Sequence, residues 1–367
     1  MSVLLAATLA SAGCRGADDS AATSSADERT GTSVGGGSVA TDRPRIVVSA
    51  APLADLARRI AADLPFDIDL VPSTGPGRDD LRSVIAADLI VLHGAGHETW
   101  ASTANLPRSR TLVVADGHRE AWVLSPGSRS HGHGPGGPGT ARAPIPETWF
   151  APELAADAAL SISEALGKRW PEHARALSEN ASRLTDQLAE IEATLADAGS
   201  RLGGRPVLLA ADPAMYLTRG PQWRTSSVAI SRGDSWTDAD AAAVEAGLDL
   251  TMDAAAEAPE TQRGPGAAGL LPEARPGEAS RPRGLILFTG PITPERAKRI
   301  REQHGLVPVV VPASGDGRWL DRFAEGVDAL AAAARSMSSP ADGGAQPAAR
   351  SGGTSPRNAI RPRPRPT

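Results

Sequence analysis

Trp170–Leu202 reads WPEHARALSENASRLTDQLAEIEATLADAGSRL, and its spacing decides how the rest of the chain is arranged. The small or apolar residues Trp170, Ala174, Leu177, Ala181, Leu184, Leu188, Ile191, Leu195, Ala198 and Leu202 recur four and three apart without a miss. That makes one apolar seam on a helix of about thirty residues, roughly 45 Å long at 1.5 Å per residue. Pro171 fits the first turn, where its missing N–H would have no partner anyway. A seam of this kind also builds coiled coils. The flanking segments favour a different arrangement, a single helix lying across two α/β lobes as a spine.

Before the seam, strands alternate with helices. RIVVSA (45–50) is a short β-branched run, and Ala51–Leu64 carries Leu53, Leu56, Ala57, Ile60 and Ala61 at helical spacing. Strands follow at Ile68–Val71, Asp88–His93 and Thr111–Ala115, with a short helix at Asp80–Ala87. After the seam come strands at Pro206–Ala210, Ser227–Ile230, Gly284–Phe288 and Val307–Val311, and helices at Pro213–Thr218, Ala239–Ala255, Pro294–His304 and Trp319–Ala334. Alternation of this type predicts parallel sheets covered on both faces. The expected fold class is α/β, with two Rossmann-like lobes joined by the long helix.

The chain divides on this reading into a signal peptide with a lipidation box (1–14), a tether (15–43), an N-terminal lobe (44–150) with a Gly/Pro/His loop (116–146), a helical linker (151–203), a C-terminal lobe (204–335) with an inserted loop (258–283), and a tail (336–367). Residues 3–13, VLLAATLASAG, are apolar and small and stop at Cys14, the one cysteine. The run is too short to span a bilayer, and it resembles a signal-peptide core. Ser11-Ala12-Gly13-Cys14 resembles a lipobox, whose cysteine is lipidated and becomes the mature N-terminus. A single cysteine excludes an intrachain disulfide and any multi-cysteine zinc site. The tether and tail hold too few apolar residues to offset their ordering entropy, and the tail ends in RPRPRPT. The net charge of −5 argues against a nucleic-acid surface.

Four strings carry a family resemblance: VVSAAPLADLARRIA (47–61), AADLIVLHGAGHETW (86–100), HGHG (131–134) and PETWFAPELA (146–155). Together with the order lobe, His-rich loop, long helix, lobe, they resemble the zinc- and manganese-binding lipoproteins of bacterial ABC importers, the cluster A-I solute-binding proteins. The resemblance implies a monomer outside the cytoplasmic membrane, lipid-anchored, working with an ABC permease and carrying Zn2+ or Mn2+. It also implies a metal held between the lobes by three histidines and a carboxylate. Here STGPGRDD (73–80) stands where the first histidine belongs, Glu147 takes the second position and Ala211 the third. Asp316 is available for the carboxylate.

The residues left as candidate metal ligands are Glu147, His93, His97, Asp212 and Asp316, with His131 and His133 as an auxiliary pair on the loop. His93 and His97 flank Gly94-Ala95-Gly96 at the end of a parallel strand, where open α/β sheets bind ligands. Glu98 reads as a structural capping carboxylate. Asp212 reads either as a ligand or as the cap of the turn that opens at Pro213. His173 and His304 fall on helices and are expected to be exposed. No phosphate loop, GxSxG or nucleophile–base pair appears in structural context, so an enzyme is not expected. Two functions stay open: the solute-binding component of a metal importer, and a degenerate relative that binds no metal and acts as a surface interaction or accessory lipoprotein.

Overall fold

Parallel strands in two sheets of four organise the protein. The computed structural model describes residues 43–72, 74–125, 143–220, 222–231, 233–257, 282–313 and 317–338. In the first sheet β1 (Arg45–Val48), β2 (Asp67–Leu70), β3 (Leu89–Leu92) and β4 (Thr111–Val113) lie in the order β2-β1-β3-β4. Helix α1 (Ala51–Ile60) joins β1 to β2, and α2 (Arg78–Ala86) joins β2 to β3. Helices α3 (Pro152–Arg169) and α4 (Ala174–Leu202) follow. The second sheet has β5 (Pro206–Leu209), β6 (Arg224–Ser227), β7 (Gly284–Phe288) and β8 (Leu306–Val310) in the order β6-β5-β7-β8. Helix α5 (Asp238–Glu257) lies between β6 and β7, α6 (Pro294–His304) between β7 and β8, and α7 (Trp319–Ser338) after β8. This is the two-lobe α/β class with a long helix that the alternation predicts.

Strand composition follows position in the sheet. β3 (LIVL), β5 (PVLL) and β7 (GLILF) are buried along their whole length, because helices cover both faces. The edge strands β2 (DIDL) and β6 (RTSS) are polar and partly exposed. Polarity explains why β6 was expected three residues too late, at Ser227–Ile230. The true ladder pairs Pro206 with Arg224 and Leu209 with Ser227. Val228, the first apolar residue of the expected run, instead packs with Leu208, Val244, Leu248 and Ile286.

Helix α4 buries Leu177, Ala181, Leu184, Leu188, Ile191, Leu195, Ala198 and Leu202, the whole α-helical seam beyond Ala174. It packs on α3, α7 and α1. Its entry differs from a uniform helix: Pro171–His173 form a 3-10 turn before the α-helical bonding begins. Its exit is Gly203, at φ +57, a left-handed position where glycine meets no Cβ penalty. Gly199 lies where the chain before β6 crosses the helix; a Cβ there would stand 2.7 Å from Gln222 Cγ and 2.9 Å from the Trp223 ring. The main apolar cluster runs from the inner face of each sheet through α1, α3, α4 and α7, so both lobes share one core.

A polar tie reinforces this contact. Asp55 on α1 is buried and accepts from the Leu320 amide at 2.9 Å, satisfying an N–H in the first turn of α7 that no helical carbonyl reaches. Arg59 donates to Asp55 at 3.2 Å and to Asp321 at 2.8 Å, joining α1 to α7.

His304, expected on an exposed helical face, is 4% exposed. Its Nδ1 lies 2.5 Å from Glu245 Oε1 on α5, and its ring lies 5.7 Å from that of Trp236. The next turn of this lobe is held by Asp240. Its carboxylate accepts from the amides of Ser231 and Thr237 at 2.7 and 3.0 Å and from both hydroxyls at 2.8 Å. Burial alone would raise its pKa; those four bonds outweigh burial and hold it at about 2. The folded value therefore lies below the unfolded one. The stabilisation is complete above the ordinary Asp value and disappears as pH falls through about 2. Asp240→Asn is expected to lower the urea midpoint at neutral pH, and the gap to the parent should narrow on acidification. A gap independent of pH would contradict the assignment.

Candidate ligand-binding cleft

In each sheet the chain runs outward from its first strand on one side and returns on the other. The crevice this leaves lies beyond the carboxyl ends of β1 and β3 in one lobe and of β5 and β7 in the other. Ser49 follows β1 and His93 follows β3. Gly94, Ala95 and Gly96 are consecutively left-handed, with φ +89, +52 and +85. Gly94 has no room for a side chain: a Cβ there would meet Val113 Cγ1 at 2.6 Å. The His97 amide closes the turn onto the Gly94 carbonyl at 2.9 Å.

The turn carries Glu98 back under the strand ends. Its carboxylate accepts from the His93 amide at 2.7 Å, the Gly94 amide at 2.9 Å and the Ser49 hydroxyl. Glu98 thus ties the end of β1 to the end of β3, and its oxygens are occupied by protein donors. Ser49 belongs to no motif, and its place directly after a strand at the crevice is the one signal in the sequence that marks it.

His93 is 1% exposed. Its Nε2 lies 3.3 Å from the Thr148 hydroxyl, and its Nδ1 has no partner at hydrogen-bond distance. Burial lowers its pKa most, the neighbouring His97 lowers it further, and the Pro146 backbone works the other way; the result is about 3. The ring is therefore neutral at physiological pH. His97 is half-buried. The two imidazole centroids are 5.8 Å apart, and the Trp149 ring meets both edgewise, at 4.6 Å from His93 and 5.3 Å from His97.

Glu147 precedes a 3-10 turn, Thr148–Phe150, all three residues of which are buried. Trp149 Nε1 donates to the Ala313 carbonyl beyond β8 at 3.0 Å, crossing from one lobe to the other. From the second lobe Tyr216 answers: its hydroxyl donates to the Ile145 carbonyl at 2.9 Å and accepts from the Val123 amide at 3.0 Å. Burial raises the Tyr216 pKa, the Val123 bond and Arg219 oppose, and the nearby Glu147 charge raises it again. Asp212 makes no cap hydrogen bond to its own turn. Its Oδ2 accepts instead from the Ser125 hydroxyl at 3.2 Å, across the cleft.

The candidate ligands thus separate. His93 and His97 adjoin one another; Glu147 lies near Tyr216; Asp212 is engaged by Ser125. Among the described residues no three His, Cys, Asp or Glu side chains converge as a metal-binding group. Asp316, His131, His133 and Cys14 lie outside the described residues. Among the described residues no helix is long and apolar enough to cross a membrane.

Two parallel α/β lobes, a long helix packed along their shared core and a crevice between strand ends define the two-lobe solute-binding class. Residues 46–249 match the family model of the periplasmic zinc-uptake complex component A, ZnuA, and the chain belongs to that family. No curated protein sequence matches it. Among solved structures it is similar to the metal-dependent lipoprotein YcdH of Bacillus subtilis, with TM-score 0.57, 16% identity, 78% of this chain and 98% of that chain covered. It is similar to the Zn(II)-bound ZnuA-like domain of Streptococcus pneumoniae AdcA, with TM-score 0.55, 14% identity, and 81% and 100% covered. It is also similar to the laminin-binding protein Lmb of Streptococcus agalactiae, described as an adhesin with metal-transporting activity, with TM-score 0.54, 15% identity, and 79% and 99% covered. At these identities the likeness is one of fold.

Proposed function

We propose that the protein is the extracytoplasmic solute-binding component of a metal ABC importer, held at the membrane surface by a lipid on Cys14. Family membership over the first lobe, the spine helix and part of the second lobe carries this reading. The two lobes are bridged by Trp149, Tyr216 and Asp212 and share a core along α4, so solute exchange proceeds by small tilts and loop changes and not by a wide hinge. The permease partner would then recognise a body of nearly constant shape. The direct test is transport: vesicles holding a metal ABC permease from the same organism should take up metal faster when the full-length protein is added. No stimulation with zinc, manganese or copper would overturn the reading. The anchor is checked by intact mass, which should show an acylated Cys14 terminus; protein retaining Met1 in the membrane-free fraction would contradict it.

The donor set does not fit zinc held as the resemblance implies, because tetrahedral zinc wants four protein or water donors held by supporting bonds. Glu147 replaces one histidine, Ala211 another, and Asp212 is already an acceptor for Ser125. That observation favours the second reading, a relative that has lost the family's zinc or manganese site. Calorimetry separates them. Zinc and manganese are expected to bind the parent weakly, and Glu147→Ala should change that little. Submicromolar zinc binding lost in Glu147→Ala would restore an ordinary zinc carrier. Binding lost only on deletion of residues 131–134 would place the metal on the loop.

A further inference from the structure

We propose that His93 and His97 form a two-nitrogen site for monovalent copper at the cleft end of β3. The proposal rests on the pair itself and stands whether or not the chain serves an importer.

Three observations converge. The first is an unmet nitrogen: His93 is 1% exposed, and its Nδ1 has no hydrogen-bond partner. Leaving a buried polar atom unpaired carries a free-energy cost, and a bound ion relieves it. The second is a fixed orientation. Nε2 of the same ring lies 3.3 Å from the Thr148 hydroxyl; with the ring proton held there, the lone pair is left at Nδ1. This is how protein metal sites set the tautomer of a ligating histidine. The third is spacing. Imidazoles sharing one ion through nitrogens at about 2.0 Å have centroids about 5–6 Å apart. His93 and His97 lie at 5.8 Å, within that range. His97 is half-buried, so it is the more accessible of the two rings.

The number of donors selects the metal. Glu98, the nearest carboxylate in sequence, is taken by Ser49, His93 and Gly94, and Thr148 supplies a hydroxyl already facing Nε2. Among the described residues two imidazoles remain, against the Trp149 ring. Zinc requires four donors and manganese prefers oxygen. Monovalent copper is satisfied by two nitrogen donors and carries a single charge into a buried setting. Coordination forms two copper–nitrogen bonds and changes no oxidation state.

The test uses the full-length chain carrying Cys14→Ser, His131→Ala and His133→Ala, so that no thiol or loop histidine competes. Cuprous ion is titrated anaerobically against a chromophoric chelator. One equivalent should bind, with an X-ray absorption edge of two-coordinate copper. His97→Ala should weaken binding by about 100-fold or more, the scale of losing a ligand or its support. His118→Ala should leave it unchanged. His97→Ala should melt like its parent, so a loss there is not unfolding. Equal affinity in the parent and His97→Ala would overturn the proposal. So would displacement of the copper by an equimolar amount of zinc.

Discussion

Leu188→Asp lowers the stability of the folded body by about 4 kcal/mol or more, and both lobes unfold together. Leu188 has no exposure and sits mid-helix in α4, one turn from Leu184 and Ile191. Removing a buried leucine side chain costs about 2–5 kcal/mol in transfer and cavity terms. The aspartate then either ionises in an apolar contact or binds a proton to avoid it, and each adds to the loss. Folded domains have only about 5–15 kcal/mol to lose, so the variant stands near the point of unfolding. Ala189, the next residue, is exposed, and Ala189→Asp is expected to change stability by no more than about 0.5 kcal/mol. Urea titrations followed by tryptophan fluorescence and far-ultraviolet dichroism check both variants. A Leu188→Asp protein that melts with its parent would show that α4 is a peripheral helix. Transitions that separate between probes would show that the lobes do not depend on one core.

That seam was legible because helical periodicity over many residues admits few alternatives. The central strands were legible for a related reason: a strand covered on both faces must be apolar throughout, as DLIVLH and GLILF are. The edge strand β6 was not, since RTSS takes its place from the ladder with β5 and has no hydrophobic signal. His304 misled in the same way. Its burial comes from Glu245 and Trp236, partners about sixty residues away that no local pattern announces.

The cleft was legible as a location and not as an arrangement. Strand ends pointed to His93, and the family resemblance pointed to Glu147 and Asp212. What those residues do depends on pairings such as Ser125 with Asp212 and Tyr216 with Ile145, made between lobes. The cross-lobe hydrogen bonds of Tyr216 and Trp149 join the two sides of the cleft in the same way.

Glu98→Ala is expected to cost about 3–5 kcal/mol, the second largest effect of a single change, although it removes an ionisable residue from a protein rich in them. Its three donors explain the size. The Ser49 hydroxyl, the His93 amide and the Gly94 amide converge on one carboxylate, and Ser49 and His93 are each 1% exposed. Bonds from buried donors to a charged acceptor contribute about 1.5–3 kcal/mol each, and water cannot easily replace an acceptor at the floor of a packed cleft. The turn that depends on these bonds is itself strained, because Ala95 is held at φ +52, where an L-residue is disfavoured by about 1–2 kcal/mol. Without Glu98 only the His97–Gly94 bond within the turn opposes that strain. Glu98→Gln should fall between the two proteins: its carbonyl keeps the Ser49 and His93 bonds, while its amide nitrogen faces the Gly94 amide, donor against donor. Hydrogen exchange gives the local readout. The His93 and Gly94 amides should lose protection in the order parent, Gln, Ala, ahead of amides in α4. If exchange at these two positions is the same in all three proteins, Glu98 does not hold the end of β3, and the pairing of His93 with His97 is fixed by Trp149 and Thr148.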